Sequence, residues 1–178
     1  MHIPNLTAPI LNPSSSIQKV LESTTKIRFQ HCDPFGHLNN ATYLSYLTNE
    51  REDQVASAYG LDIYEWGMKQ GTSWVVGKHE IIYRKPAFYN EMVTVQSRLI
   101  GFADRHIQVE MAMLNAERTH LKAVLWSNFV HVDMKAKRPA AHVQELMDLF
   151  AKALSPLSQT VIEDRVKGWE TELGMAKA

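Results

Sequence analysis

The amino-acid sequence predicts an α+β fold in which a five-stranded antiparallel sheet wraps around one long helix, with a helical extension at the C-terminus. Three observations lead there. A long helical pattern, from about Asn40 to Tyr59, follows the first strand-like segment. Four long alternating segments with short connections come next, and two further helical patterns end the chain.

The bulk numbers are those of one domain. At 178 residues, with 45% apolar and 21% charged residues, the chain can build one substantial core. We divide it into an N-terminal arm (1–23), a main domain (24–154) and a C-terminal helical extension (155–178). The arm carries Pro4, Pro9, Pro13 and the run Ser14 to Ser16, and too few periodic apolar positions to build an element. Nineteen basic side chains balance nineteen acidic ones, which argues against a nucleic-acid partner or an anionic membrane surface. With neither a spanning apolar run nor a secretory leader pattern in 1–23, a cytoplasmic location is expected. The single cysteine, Cys32, has no partner for a disulfide, and no Cys or His cluster is spaced for a metal.

The elements follow in order. From Thr24 to His31, Ile27 and Phe29 alternate with Lys26, Arg28 and Gln30, the period of a half-buried strand. Asn39 and Asn40 are good capping residues for the helix that follows, and Gly60 is its natural stop. Tyr43, Leu44, Leu47, Val55 and Ala58 form its apolar stripe. At about 1.5 Å per residue the helix spans roughly 30 Å, the length of a nine- or ten-residue strand. Leu61 to Gly71 reads as less regular. Strands are expected at about 73–84, 91–100, 106–115 and 120–133, the last three joined by hairpin-sized links into an antiparallel meander. Helices are expected at about 141–153 and 159–173, the second rich in paired charges. Trp74, Trp126, Phe129 and the strand valines and isoleucines exceed what one helix can cover, so a homodimer or homotetramer is expected.

The chemistry concentrates in one loop. There is no G-x-S-x-G elbow, H-E-x-x-H pair or phosphate loop. What remains is a carboxylate, Asp33, in a Pro/Gly-containing loop seven residues ahead of Asn40, where the long helix begins. The exposed amides of a helix start can bind a developing oxyanion, and a nearby carboxylate can attack a carbonyl or deprotonate water. Asp-Pro-Phe-Gly also fits a plain type I turn, in which the aspartate only bonds backbone, and the residues alone leave both readings open.

The run from Arg28 to Tyr43, RFQHCDPFGHLNNATY, resembles the signature of the 4-hydroxybenzoyl-CoA thioesterase-like branch of the hotdog superfamily. That signature reads strand, Asp, two residues, Gly-His-hydrophobic-Asn-Asn, two residues, Tyr. Tyr83-Arg84-Lys85-Pro86-Ala87 is similar to the family's end of a strand, and the resemblance covers about residues 24–150. It implies a hotdog fold and an acyl-CoA substrate, with no metal and no cofactor. It further implies that Asp33 is the catalytic nucleophile or general base and that the amide of Asn40 polarises the thioester carbonyl. On the same ground His37, Asn39 and Tyr43 are expected near substrate. His37 would chiefly order the loop by hydrogen bonding, the side chain of Asn39 or of Asn40 would cap the helix, and Tyr43 would line the acyl pocket or face the core. Arg84 and Lys85 are candidates for the CoA phosphates, and Glu50 for a secondary role. The alternatives are a non-catalytic acyl-binding or protein-interaction module, or a thioesterase acting on acyl-carrier protein.

Overall fold

A computed structural model describes residues 17–174. Most of the N-terminal arm (1–16) lies outside those residues. The elements are β1 (Val20–Lys26), α1 (Asn40–Tyr59), α2 (Ile63–Gln70), β2 (Thr72–Tyr83), β3 (Met92–Ala103), β4 (His106–Asn115), β5 (Leu121–Asp133), β6 (Arg138–Pro139), α3 (Gln144–Ala153) and α4 (Ile162–Glu172). The five long strands form one antiparallel sheet in the order β1-β3-β4-β5-β2, and the two-residue β6 pairs with β5. The β3-β4-β5 meander is as expected from the sequence.

The first strand lies four residues earlier than the alternation suggested. Val20 to Lys26 pair with Arg98 to Met92, so Val20–Ser23 belong to the sheet and not to the arm. Leu21 is the buried strand residue, while Phe29, 76% exposed, sits in a short 3₁₀ turn (Phe29–His31). The stretch read as less regular contains α2, capped at one end by the Asp62 side chain, which accepts from the Glu65 amide, and at the other by Gly71 at φ +69°.

Each face of the sheet has its own cover. The inner face packs against α1, α2 and α3: Val93, Val95, Val109, Met111, Met113 and Leu125 meet Leu47, Trp66 and Phe150 in one core. Strand alternation turns Ala112, Leu114, Val124 and Trp126 the other way, where Ile162, Val166 and Trp169 of α4 pack on them. The cover that the sequence reading assigned to a second chain over Trp126 is thus supplied by the chain's own last helix. Trp74 is likewise engaged internally, against Trp66, His131 and His142.

Among the paired charges of α4, one is not a surface pair. Arg165 is buried and donates from Nε to both carboxylate oxygens of Glu110 on β4, at 3.2 and 2.9 Å. Arg98 approaches the same carboxylate at 3.4 Å, the Trp126 indole donates to it at 2.9 Å, and both guanidinium groups lie over the Trp169 ring. Every partner of this buried anion comes from β3, β5 or α4.

Candidate active site

The loop between β1 and α1 is fixed mainly by backbone. Asp33 donates its amide to the His37 carbonyl (2.7 Å), and the Gly36 amide returns to the Asp33 carbonyl (3.0 Å), closing the turn. Gly36 sits at φ +76°, where a side chain would be strained. Leu38 donates to the Ala87 carbonyl, Asn39 to the His31 carbonyl and Tyr89 to the Gly36 carbonyl, so the loop is sewn to the segment that follows β2. The expected Asp-Pro-Phe-Gly turn is there, with the carboxylate folded into it. Asp33 Oδ1 accepts from the amides of Phe35 (2.9 Å) and His37 (3.1 Å). Oδ2 has no hydrogen-bond partner among the described residues, and the residue is partly exposed.

The helix start is equally defined. Asn39 is the N-cap, its side chain accepting from the Ala41 amide at 3.0 Å, so of the two asparagines it is Asn39 that caps. Asn40 is then the first helical residue, and its exposed amide has no acceptor among the described residues. The Tyr83 hydroxyl donates to the Asn40 carbonyl at 2.8 Å, tying this turn to the end of β2. A carboxylate oxygen and a helix-start amide, both unclaimed, thus flank the rigid span 34–39. That is the equipment acyl transfer needs.

The other expected residues fall in several places. Tyr43 is buried, packs edge-on against Tyr83 and accepts a hydrogen bond from the Ala87 amide at 2.9 Å; burial raises its phenol above the usual range. It faces the core and holds the segment after β2. His37 orders the loop through its backbone, while its ring packs edge-on against Phe88. Arg84 is ion-paired with Glu170 of α4, and Lys85 is exposed with no side-chain partner among the described residues. Glu50 accepts from the Ser23 hydroxyl at 2.7 Å, which ties α1 to β1, ten residues along the helix from Asn40.

Beneath the C-terminal half of α1, a cavity of about 230 Å³ lies between helix and sheet. Its wall is largely apolar, with Val55, Leu99, Val109, Met111, Phe129 and Phe150 among the lining residues, and Arg51 and Glu52 are the charged ones. Sequence reasoning missed the place of Arg51 in this cavity and also the histidines behind it.

His131 and His142 stack at 4.6 Å, and the Trp74 indole donates to His142 Nε2 at 3.1 Å. Both Nδ1 atoms face backbone carbonyls, so both rings are neutral Nδ1–H tautomers, as inferred from these hydrogen bonds. Burial, with His131 alongside, holds His142 down at about 4, and burial lowers His131 as well. The unfolded chain therefore takes up protons that the folded one refuses as pH falls below the ordinary histidine value. Stability is full above about pH 6.5 and is lost between there and pH 4, by roughly 3 kcal/mol for His142 alone. Urea unfolding at a series of pH values should show this slope in the wild type and a shallower one in His142→Phe. Identical slopes would remove His142 as its source.

The comparisons with known proteins bear on the same residues. A family model described as the thioesterase-like superfamily matches residues 27–150, from the end of β1 through Phe150 of α3. The chain belongs to the thioesterase-like superfamily. Membership makes it a thioester hydrolase, and the loop, the helix start and every cavity-lining residue but Ala153 fall inside the matched region. Among curated proteins, this thioesterase-like chain is 26% identical over 128 residues to the long-chain acyl-CoA thioesterase FadM of Escherichia coli (strain K12), covering 72% of this chain and 95% of that one. Among solved structures it resembles the 1,4-dihydroxy-2-naphthoyl-CoA thioesterase Slr0204 from Synechocystis (TM-score 0.68, 13% identity, 74% and 96% of the two chains). It also resembles the protein SAV2348 from Staphylococcus aureus, solved in complex with CoA (TM-score 0.71, 11% identity, 83% and 93%). At these identities the structural likenesses establish the hotdog fold. No helix among the described residues is long and apolar enough to cross a membrane.

Proposed function

We propose that this protein hydrolyses an acyl-CoA thioester to a carboxylic acid and free CoA, as a member of the 4-hydroxybenzoyl-CoA thioesterase-like branch. One observation carries the reading: among the described residues Asp33 Oδ2 and the Asn40 amide are both unclaimed, at the two ends of one backbone-fixed loop. The Asn40 amide, at the positive end of α1, receives the thioester carbonyl oxygen as charge develops on it. Asp33 acts on the carbonyl carbon in one of two ways. As a nucleophile it forms a mixed anhydride and expels CoA thiolate, and water then cleaves the anhydride; as a general base it takes a proton from the water that attacks directly. Each route consumes one water and yields acid and thiol. The acyl group enters the cavity between α1 and the sheet, and Lys85, exposed and without a side-chain partner among the described residues, is a cation beside the loop for a CoA phosphate. The acyl-CoA activity in FadM's name supports this choice of substrate.

The test is thiol release from short-chain, long-chain and aromatic acyl-CoA substrates, with wild type beside Asp33→Asn. Release that depends on Asp33 supports the proposal. No release from any of them would overturn it in favour of a carrier-protein substrate or a binding module.

The active form is a homodimer joined through β2. Among the described residues this strand pairs only with β5 and is a sheet edge, and it exposes Val75 and Val76 at 49% and 48%. Light scattering after gel filtration should give twice the chain mass for the wild type and a shift toward monomer for Val76→Lys. A monomeric wild type at micromolar concentration would refute this assembly.

A further inference from the structure

The cavity wall is largely apolar, Arg51 lines it together with Thr48, Glu52 and Tyr59, and Arg51 has no counter-ion among the described residues. No carboxylate lies within ion-pair distance of it among the described residues, and the undescribed stretches, 1–16 and 175–178, contain no Asp or Glu. Glu52, the other charged lining residue, is exposed and forms no ion pair with it. The guanidinium has five N–H donors. Nη1 donates to Ser97 Oγ at 3.0 Å, and the Tyr59 hydroxyl is its other partner. The polar groups behind it are already satisfied. Ser97 donates to Gln54 Oε1, and Gln54 donates to the Val95 carbonyl (3.0 Å) and to Ser23 Oγ (2.7 Å).

A charge held among apolar side chains is costly unless an anion or several acceptors compensate it. Burial accordingly draws the Arg51 guanidinium down to about 10, with only the Tyr59 hydroxyl opposing the shift. Two neutral oxygens leave N–H groups of Arg51 without an acceptor among the described residues, beside a cavity whose wall is largely apolar and whose other polar lining side chains are Thr48, Glu52 and Tyr59. Arginine's planar fork matches a carboxylate with two parallel hydrogen bonds.

We infer that Arg51 determines specificity for acyl groups that carry a carboxylate at the end remote from the thioester. This rests on the acyl-CoA reading of the Asp33 loop and names the substrate class of that pocket. Arg51 and Asn40 lie on the same helix, eleven residues apart, which is about 16 Å along its axis. An extended eight-carbon chain together with the reach of an arginine side chain covers that length. The cavity volume agrees, since at roughly 30 Å³ per water-sized group it holds about eight. Shorter acyl groups would leave the charge unpaired, and unsubstituted chains would bury their methyl end against it.

Binding and turnover are measured separately. Calorimetry on the wild type, with octanoate and 1-octanol, is expected to give at least about a ten-fold lower Kd for the carboxylate, a preference that Arg51→Met abolishes. Equal affinities in the wild type, or unchanged octanoate binding in Arg51→Met, overturns the inference, and the wild-type comparison holds even if the variant folds poorly. In the kinetic arm, wild type should favour the CoA thioester of octanedioic acid over octanoyl-CoA by about ten-fold in kcat/KM, and Arg51→Met should reverse that order. Measurable turnover without this preference overturns the substrate class. A carboxylate preference in binding with no turnover of any CoA thioester supports the Arg51 site and refutes the proposed function.

Discussion

Asp33→Asn is expected to lower kcat/KM by on the order of a hundredfold to ten-thousandfold with little change in fold. The two carboxylate oxygens have separate duties. Oδ1 accepts from the amides of Phe35 and His37 and so holds the turn, whereas Oδ2 is unclaimed among the described residues. An asparagine can present its carbonyl oxygen to the same two amides and keep the loop, but its NH₂ is neither a nucleophile nor a base. Chemistry is lost while the turn is retained. Asp33→Ala loses both and should lower the melting temperature as well, so the two variants together separate reaction from scaffold. Circular dichroism and Tm check the fold, and thiol release checks the rate. An Asp33→Asn protein that retains most of its activity would remove Asp33 from the mechanism. Where the activity is lost, hydroxylamine trapping of an acyl-enzyme in the wild type distinguishes attack by Asp33 from attack by water.

Glu110→Ala is expected to destabilise the fold by about 3 to 5 kcal/mol, a Tm lower by roughly 10 °C. The carboxylate is 1% exposed and takes hydrogen bonds from Arg165 and the Trp126 indole, with Arg98 in ion-pair range. Removing it leaves the Arg165 guanidinium, itself 1% exposed, dependent on Glu172 at the protein's edge, and strips the indole of its acceptor. Breaking a buried pair from one side costs far more than removing a solvent-exposed one. Lys69→Ala, which deletes an exposed pair with Glu65, should therefore cost under about 1 kcal/mol. Thermal unfolding of the two variants side by side measures the contrast. Comparable losses would show that Glu110 is not held as the geometry indicates.

What the sequence reveals is largely what is local. The ends of α1 were legible because Asn39 and Gly60 are themselves the cap and the stop, and the loop motif was legible because its turn is made by neighbouring residues. β1 was misplaced because Ile27 and Phe29 alternate convincingly, although strand pairing stops at Lys26 and Phe29 turns outward. α2 was overlooked for its shortness and the glycine inside it, yet Asp62 and Gly71 were cap signals in plain view. The role of α4 had no local signal at all. Its charges have the spacing of a solvated face, and only the fold reveals that Arg165 reaches Glu110, 55 residues away in sequence. Arg51 was passed over on the same ground, since the absence of a counter-ion is a property of three dimensions.

Strand β4 joins the two halves of the molecule residue by residue. Val109 and Met111 line the cavity, while Glu110 between them is gripped from behind by Arg165. The floor of the pocket is therefore a clamped plate with α4 packed beneath it, and it cannot bow outward to admit a bulkier guest. Adaptation to new acyl groups has to come from the roof, through α1 and α3, and a designer wishing to reshape this enzyme's diet should leave the floor alone and work from above.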